Sequence, residues 1–260
     1  MVKTIWIAGV LSCLASIAQA QEAAPETDRP PEVSRPMGEL VLDGTFMPFS
    51  LPARVGETRA FAWGNGGYDS ARKGAVADTA AEVQLWGPIA LRGGATYSND
   101  TDRMRPSVGL RAQLLRQDRA GIDGALSVFY KAEGFTEAEG EIETFVSLGH
   151  VFDRTAVMGN LVYGQDPEGN ERDGEVRASV IRRAGRFAFG VDSRARSALG
   201  TQHGTAAVKE PRYDATVGAL GGVTVGALVL FAEAGPNVVK MPQATARTGA
   251  MAFAGLGSAF

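Results

Sequence analysis

The sequence predicts an all-β fold, a transmembrane antiparallel up-and-down β-barrel of about twelve strands, with ten or fourteen strands as the alternatives. From residue 58 onward, segments of about ten residues alternate apolar and polar side chains, which is the period of a strand with two different faces. The connections between these segments are alternately short and long, and aromatic residues gather at the segment ends. A soluble β-sandwich would show the same alternation of side chains, so the connections and the aromatics decide between the two folds.

The composition agrees with this fold class. Of the 260 residues 33 are glycine, a residue that marks bends and close backbone contacts in strands. The mean hydropathy is -0.05 and no long apolar run follows the N-terminal region, which excludes a helical membrane protein but suits strands that average to neutral hydropathy. The net charge of -3 argues against a nucleic-acid partner.

The N-terminus predicts an export signal over residues 1–20. Lys3 supplies the positive charge, residues 5–17 the apolar region, and Ala18-Gln19-Ala20 a small-x-small cleavage site. Acylation at Cys13 is the weaker alternative, because the apolar run continues past it. Cleavage after Ala20 would leave a mature chain without cysteine, which fits an oxidising compartment.

Residues 21–57 are expected to form a disordered or partly ordered periplasmic leader, because residues 21–36 are rich in proline and glutamate. Residues 38–49 allow three interpretations: a short periplasmic strand, a segment tucked into the mouth of the barrel, or a spanning strand.

The barrel itself is predicted over residues 58–260. The predicted strands are 58–65, 79–86, 89–98, 106–116, 121–132, 140–151, 155–164, 173–183, 186–196, 213–223, 226–235 and 249–260. Tight turns are predicted at Gly87-Pro88, residues 117–120, Asp153-Arg154, Ala184-Gly185 and Thr224-Val225. Longer loops are predicted at 66–78, 99–105, 133–139, 165–172, 197–212 and 236–248, and Gly64-Asn65-Gly66-Gly67 is interpreted as a turn.

The side chains opposite the apolar face would line the interior, and they carry both signs of charge. The predicted pore-lining residues are Glu82, Arg92, Arg111, Asp123, Lys131, Glu141, Glu143, Glu175, Arg177, Asp192, Arg194 and Arg196, and Asp214 and Glu233 have the same parity. A strongly ion-selective pore would show a preponderance of one sign.

Two sets of inward ion pairs are predicted from turn positions. A turn at Ala184-Gly185 would place Arg177 opposite Asp192, Glu175 opposite Arg194, and Asp173 opposite Arg196, giving an ionic ladder. A turn at Gly87-Pro88 would bring Glu82 to Arg92.

The aromatics on the apolar face form two bands, as the two interfaces of a bilayer require. The band beside the long loops contains Tyr97, Tyr130, Tyr163 and Tyr213, and the band beside the short turns contains Phe152, Phe187 and Phe260.

The last segment, residues 249–260, is uncharged and ends on Phe260, with Leu256, Ala254 and Ala252 on the same face as that ring. This ending resembles the C-terminal strand of Gram-negative outer-membrane β-barrels, although Ser258 stands where the family usually has a large apolar residue. The resemblance implies an outer-membrane location with both termini in the periplasm. It also implies partners in outer-membrane lipid and in the barrel assembly machinery, which would bind the C-terminal strand.

No catalytic or metal-binding motif is evident, and no cofactor is expected. His150 has lipid-facing parity at the short-turn end and His203 lies in a long loop, neither with the partners that outer-membrane phospholipases, omptin proteases or lipid A deacylases need. The acidic loop 166–173 lacks the glycine position of an EF-hand. The sequence therefore favours a porin-like passive channel for small polar solutes over two alternatives, a closed structural or surface-interaction barrel and, behind it, an outer-membrane enzyme.

Overall fold

The protein is a closed barrel of twelve antiparallel strands in which each strand pairs with its neighbours in the sequence and the first strand pairs with the last. A computed structural model describes residues 50–55, 60–99, 103–135, 140–167, 171–199, 211–242 and 244–259. The predicted fold class and strand number are confirmed.

The strands are ten to thirteen residues long, as their bounds show. They are β1 (Ala60–Asp69), β2 (Gly74–Trp86), β3 (Ile89–Ser98), β4 (Arg103–Leu115), β5 (Asp123–Ala132), β6 (Gly140–Phe152), β7 (Thr155–Gln165), β8 (Arg172–Ala184), β9 (Phe187–Ala198), β10 (Tyr213–Val225), β11 (Leu228–Lys240) and β12 (Arg247–Ala259). One short helix, α1 (Gln117–Ala120), connects β4 to β5 and ends at Gly121. Among the described residues, no helix is long and apolar enough to cross a membrane.

Short connections gather at one end of the barrel, which we call the short-turn end. The turns at Gly87-Pro88 and Asp153-Arg154 and the connection over 117–120 lie where they were predicted. Two others are displaced by one or two residues, because Ala184 pairs with Phe187 and Val225 pairs with Leu228. Gly185 and Gly226 then occupy the first turn position with positive φ values of 61° and 60°, which is where a two-residue hairpin favours glycine.

Two predicted loops are much too long. β1 continues through the glycine-rich stretch to Asp69 and β2 begins at Gly74, so the predicted loop over 66–78 and the turn over residues 64–67 were wrong. Likewise β11 continues to Lys240 with Pro236 opposite Ala250, which shortens the predicted loop over 236–248. Glycine and proline favour breaks locally, but the pairing of both flanking strands overrides that preference here.

The sheet has two chemically different faces. The outer face exposes large apolar side chains such as Leu161, Val176 and Leu256, whereas the inner face buries charged and polar ones such as Arg111, Asp192 and Glu233. Along each strand the two kinds alternate with a period of two, as the sequence predicts. This arrangement places the charges inside the barrel and leaves an apolar surface outside.

Candidate functional site

The interior of the barrel is the candidate site, and all twelve residues predicted to line it are buried or partly buried on the inner face. Glu82, Arg111, Asp123, Glu175 and Asp192 are buried, and the other seven are partly buried. In the structure these residues form distinct groups of ion pairs. The alternation of side chains along the strands does not predict these groups.

One group joins β2, β3 and β4 on the short-turn side. Arg111 is fully buried and donates to Glu82 over 2.6 Å and to the hydroxyl oxygen of Ser127 over 3.3 Å. Arg92 lies opposite Glu82, with Nη1 3.5 Å from the carboxylate, so the predicted pairing of these two residues is confirmed. Two guanidinium groups therefore share one carboxylate on this wall.

A second group runs across β8, β9 and β10, where the predicted register is wrong by two residues. Because the turn is Gly185-Arg186, Arg177 lies opposite Arg194 and Glu175 lies opposite Arg196. Two of the predicted ion pairs still form along the diagonal of the ladder: Arg194 lies 3.5 Å from Glu175, and Arg196 contacts Asp173. Arg177 instead contacts Glu175 on its own strand at 2.8 Å.

This group extends to residues that the prediction did not include as pore-lining. Arg194 donates to Asp214 over 2.8 Å, and Arg72, from the connection between β1 and β2, donates to the other oxygen of Asp214 over 2.8 Å. Arg72 was missed because it was placed in a long external loop. We call the inward charges of the long-loop half the charged layer: Arg72, Lys131, Glu141, Glu143, Asp173, Glu175, Arg177, Arg194, Arg196 and Asp214.

The charged layer borders a small cavity of about 40 Å³ that opens toward the long-loop end. Both signs of charge line it, with Lys131 and Arg196 among the bases and Glu141 and Asp173 among the acids. Lys131 also contacts Glu143 on the neighbouring strand at 3.1 Å. The mouth of the barrel is thus polar and mixed in sign.

The short-turn half is different, because apolar side chains line much of it. Buried residues from β1, β2, β7, β8, β9, β10 and β11 form one cluster, which contains Phe61, Trp63, Ala80, Met158, Ile181, Ala188, Leu220, Val229 and Phe231. Apart from β12, these strands follow one another in the ring, so the cluster extends along the inner wall from β7 round to β2.

Residues 50–55 lie inside the barrel, and we call them the inner segment. Leu51 packs with Phe129, Phe145 and Val162, while Val55 packs with Ala90 and Ala125. Val55 therefore lies near the short-turn end, and Leu51 lies farther from that end. The Arg177 guanidinium lies 5.0 Å from the ring of Phe145, one of the residues that Leu51 contacts. Residues 38–49, for which the sequence allows three interpretations, lie outside the described part of the chain.

The inner wall binds the inner segment through side chains. Asn160 accepts from the Leu51 N–H and donates to the Leu51 carbonyl, both over 2.8 Å. Gln113 accepts from the Val55 N–H over 2.6 Å, and Asp192 accepts from the Ser50 hydroxyl over 2.8 Å. Arg111 also donates to the Pro52 carbonyl, and Arg54 donates to Asp123 and, over 3.4 Å, to Gln117. Period-two alternation places Asn160 and Gln113 inside, but nothing in the sequence indicates what they bind.

Glu233 is the most isolated charge of the interior. It is 1% exposed, and neither of its carboxylate oxygens has a hydrogen-bond partner among the described residues. Its side chain lies over Gly218, where an added Cβ would come 2.6 Å from Glu233 Cγ.

The aromatics of the predicted bands lie at the strand ends on the outer face. Tyr130, Tyr163, Tyr213, Phe152 and Phe187 are exposed and Tyr97 is partly exposed, while Phe260 lies outside the described residues. Tyr68 at the long-loop end and Trp86 at the short-turn end are exposed as well. Tyr68 was missed because β1 was predicted to end at residue 65.

Of the two histidines, the structure describes His150. Its ring is partly exposed near the short-turn end, with Nδ1 2.7 Å from the Gly121 carbonyl oxygen and the Phe152 ring beside it. His203 and residues 168–170 of the acidic loop lie outside the described part of the chain. Among the described residues, no group of three or more His, Cys, Asp or Glu side chains is arranged to hold a metal ion.

The fold is similar to that of solved outer-membrane porins. The NanC porin superimposes with a TM-score of 0.57 at 10% identity, covering 76% of this chain and 98% of its own. The KdgM porin superimposes with a TM-score of 0.52 at 8% identity, covering 77% of this chain and 99% of its own, and a structure of KdgM with disordered oligogalacturonate gives the same values. No protein-family model and no curated protein matches the sequence. At such low identity the comparison establishes the barrel fold alone.

Proposed function

We propose that this protein is an outer-membrane channel of the porin type that passes small polar solutes passively. The observation that carries the proposal is the pairing of an apolar, exposed outer face with a charged inner face in a closed barrel. Such a barrel satisfies its backbone hydrogen bonds internally, which a spanning structure must do. A solute that enters the interior exchanges its contacts with water for contacts with polar groups of the wall.

The proposal includes an orientation in the membrane. Residues 1–20 would be removed on export, and residues 21–57 would form the leader, of which the inner segment lies in the barrel. The short turns and both chain ends would then lie in the periplasm. The two outer bands of aromatics would then lie at the two lipid interfaces, as a membrane girdle. The C-terminal strand would be the part that the assembly machinery binds, and no catalytic role is assigned to any residue.

The charged layer would determine how a solute crosses the outer half of the channel. Its five bases and five acids come from the β1–β2 connection and from β5, β6, β8, β9 and β10, so a solute with both positive and negative groups meets complementary charges on this part of the wall. The proposal therefore implies weak ion selectivity, because neither sign predominates.

A closed barrel with a structural role is the second candidate, and one observation favours it. The apolar cluster that contains Phe61 and Phe231 lines much of the short-turn half of the interior. In that case the charged layer would hold strand register and would line no path.

Conductance in planar lipid bilayers tests the channel. We expect the refolded protein to give discrete, reproducible current steps. Arg177→Ala should enlarge each step, because its guanidinium projects inward over Phe145. Arg182→Ala is the matched control, since Arg182 is an exposed residue of the same strand and should leave the step size unchanged.

A correctly folded barrel that gives no current steps under any condition, including after release of the inner segment, would exclude the channel. The structural barrel would then be the better description. Equal step sizes in the Arg177→Ala variant and its control would place the solute path away from Arg177.

A further inference from the structure

We infer that the inner wall carries a binding site for an extended polypeptide segment, and that residues 50–55 occupy this site as a resident plug that closes the channel until they leave. This inference rests on the proposed channel function and adds the regulation of the same path.

The first argument is the number of specific contacts. The wall supplies a partner to the N–H and C=O of Leu51, to the C=O of Pro52, to the N–H of Val55 and to the Ser50 hydroxyl. It also supplies an apolar pocket for Leu51 and another for Val55. Backbone groups that leave water need partners of this kind. With the Arg54 side chain, five of the six residues make a polar contact to a wall side chain.

The second argument is the position of the site in the ring of strands. The wall residues that bind the segment belong to β4, β5, β7 and β9, and Ala53 packs against Gly149 of β6. β4 and β9 lie five strands apart in the ring of twelve. The segment thus spans the side of the interior from β4 to β9, and the apolar cluster lines the wall from β7 through β11 to β1 and β2, so the two together extend around most of the short-turn half.

The third argument is that the segment can leave without breaking the barrel. Every polar contact described above joins it to a wall side chain, and none joins it to the backbone ladder of a strand. The twelve strands close on one another without it. Its departure therefore exposes two small apolar pockets and several polar side chains that water can hydrate, and all strand pairing is retained.

The segment also stays close to its site after release. Only residues 56–59 separate Val55 from Ala60, the first residue of β1. A tethered ligand rebinds at a high effective concentration, so the plug closes again without a second molecule.

A disulfide between Ala53→Cys and Gly149→Cys tests the inference most directly. An ideal Cβ on Gly149 lies 3.0 Å from the Ala53 Cβ, slightly closer than in a disulfide, where the two Cβ atoms are about 3.5–4.5 Å apart. A small outward shift of the segment therefore allows the bond. The variant is made in the full chain with Cys13→Ser, which removes the single native cysteine.

We expect the oxidised double variant to migrate as one cross-linked species and to give no current steps in a planar bilayer. Reduction with dithiothreitol should restore the steps of the parent protein. Each single cysteine variant serves as a control and should show no response to the reductant.

Asn160→Ala tests the opposite direction, because it removes both hydrogen bonds to Leu51 and leaves the strand pairing intact. Two hydrogen bonds of about 1 kcal/mol each correspond to an increase of about thirtyfold in the ratio of open to closed time. Asn65→Ala is the matched control: Asn65 lies on the inner face of β1, makes no hydrogen bond to the inner segment, and should leave the open fraction unchanged.

The outcomes separate the two proposals. Failure of the cysteines to cross-link in the folded barrel would contradict the position of the inner segment. A cross-linked variant that conducts like its reduced form would show that the inner segment does not close the channel. Silence of every form, including Asn160→Ala and the reduced double variant, overturns the channel, and the plug with it, even though efficient cross-linking would still locate the segment inside.

Discussion

Gly235 and Gly218 show how single residues shape the interior. An added Cβ on Gly235 would clash with the Val217 carbonyl and lie 2.8 Å from the Gly218 Cα, both of which are backbone atoms of the neighbouring strand. Gly218 in turn leaves the space that the buried Glu233 side chain fills. The absence of two side chains on the inner face therefore allows β10 and β11 to approach and allows a carboxylate to lie between them.

We predict that Gly235→Ala destabilises the barrel by about 1–3 kcal/mol, because backbone atoms of β10 must move to accept the methyl group. Gly221→Ala is the control, since an added Cβ there meets nothing within 4 Å. Urea unfolding in lipid vesicles, followed by tryptophan fluorescence, gives both free energies. Equal stability of the two variants would show that β10 moves at little cost.

Period-two alternation predicted from the sequence that Glu82, Asp192 and Arg194 face inward, and the structure places all three there. It could not predict contacts such as those of Asn160 and Asp192 with the inner segment. Those contacts join residues more than one hundred positions apart, and no local pattern records them.

At the scale of elements, the main difference between the prediction and the structure is the register of the β8–β9 hairpin. Moving the turn after β8 by one residue moved every predicted partner in β9 by two positions, so Arg177 faces Arg194 where Asp192 was expected. The side chains kept their predicted face, because a shift of two positions preserves the period of two. Ion pairs then formed along the diagonal with the acids that remained within reach.

Arg194 holds this network together, and its removal should be costly. Arg194→Ala leaves Asp214 with Arg72 and Glu175 with Arg177, and we expect a loss of about 1–3 kcal/mol in the free energy of unfolding, the range for hydrogen bonds to charged groups. Arg182→Ala, at an exposed position of β8, should change stability by less than about 0.5 kcal/mol. Chemical denaturation in vesicles compares them. A loss no greater than that of the control would mean that Arg72 and Arg177 compensate fully.

The sequence located nine of the twelve strands closely and truncated three, β1, β2 and β11. In β1 and β11 a local breaker, glycine in residues 64–67 or the Gly235-Pro236 pair, stood inside a strand whose two neighbours complete its hydrogen bonds. Propensity is a local quantity, whereas pairing on both sides is a property of the closed sheet.

At the scale of the whole molecule, the main feature is the apolar outer face of the barrel, which is exposed. Trp86 is 59% exposed on that face, while Trp63 is 5% exposed and packs edge-on against Phe231 inside the barrel. The two rings are therefore placed to report separately on lipid and on the interior.

We predict that lipids brominated on their acyl chains quench the fluorescence of Trp86 and leave that of Trp63 largely unchanged. In a Trp6→Phe background, Trp63→Phe should retain most of the quenching and Trp86→Phe should lose it. Equal quenching of the two single-tryptophan proteins would contradict the assignment of the outer face to lipid.

Closure between β1 and β12 has a consequence for how the molecule comes apart. An open sheet has two edge strands, each with a row of unpaired N–H and C=O groups, from which it can fray or pair with another chain. In this ring Phe61 of β1 lies opposite Ala259 of β12, so the first and last strands are paired in the same way as every other pair of neighbours. No strand can peel away before two ladders break together. The barrel should therefore persist by virtue of a slow rate of opening, whatever its equilibrium stability.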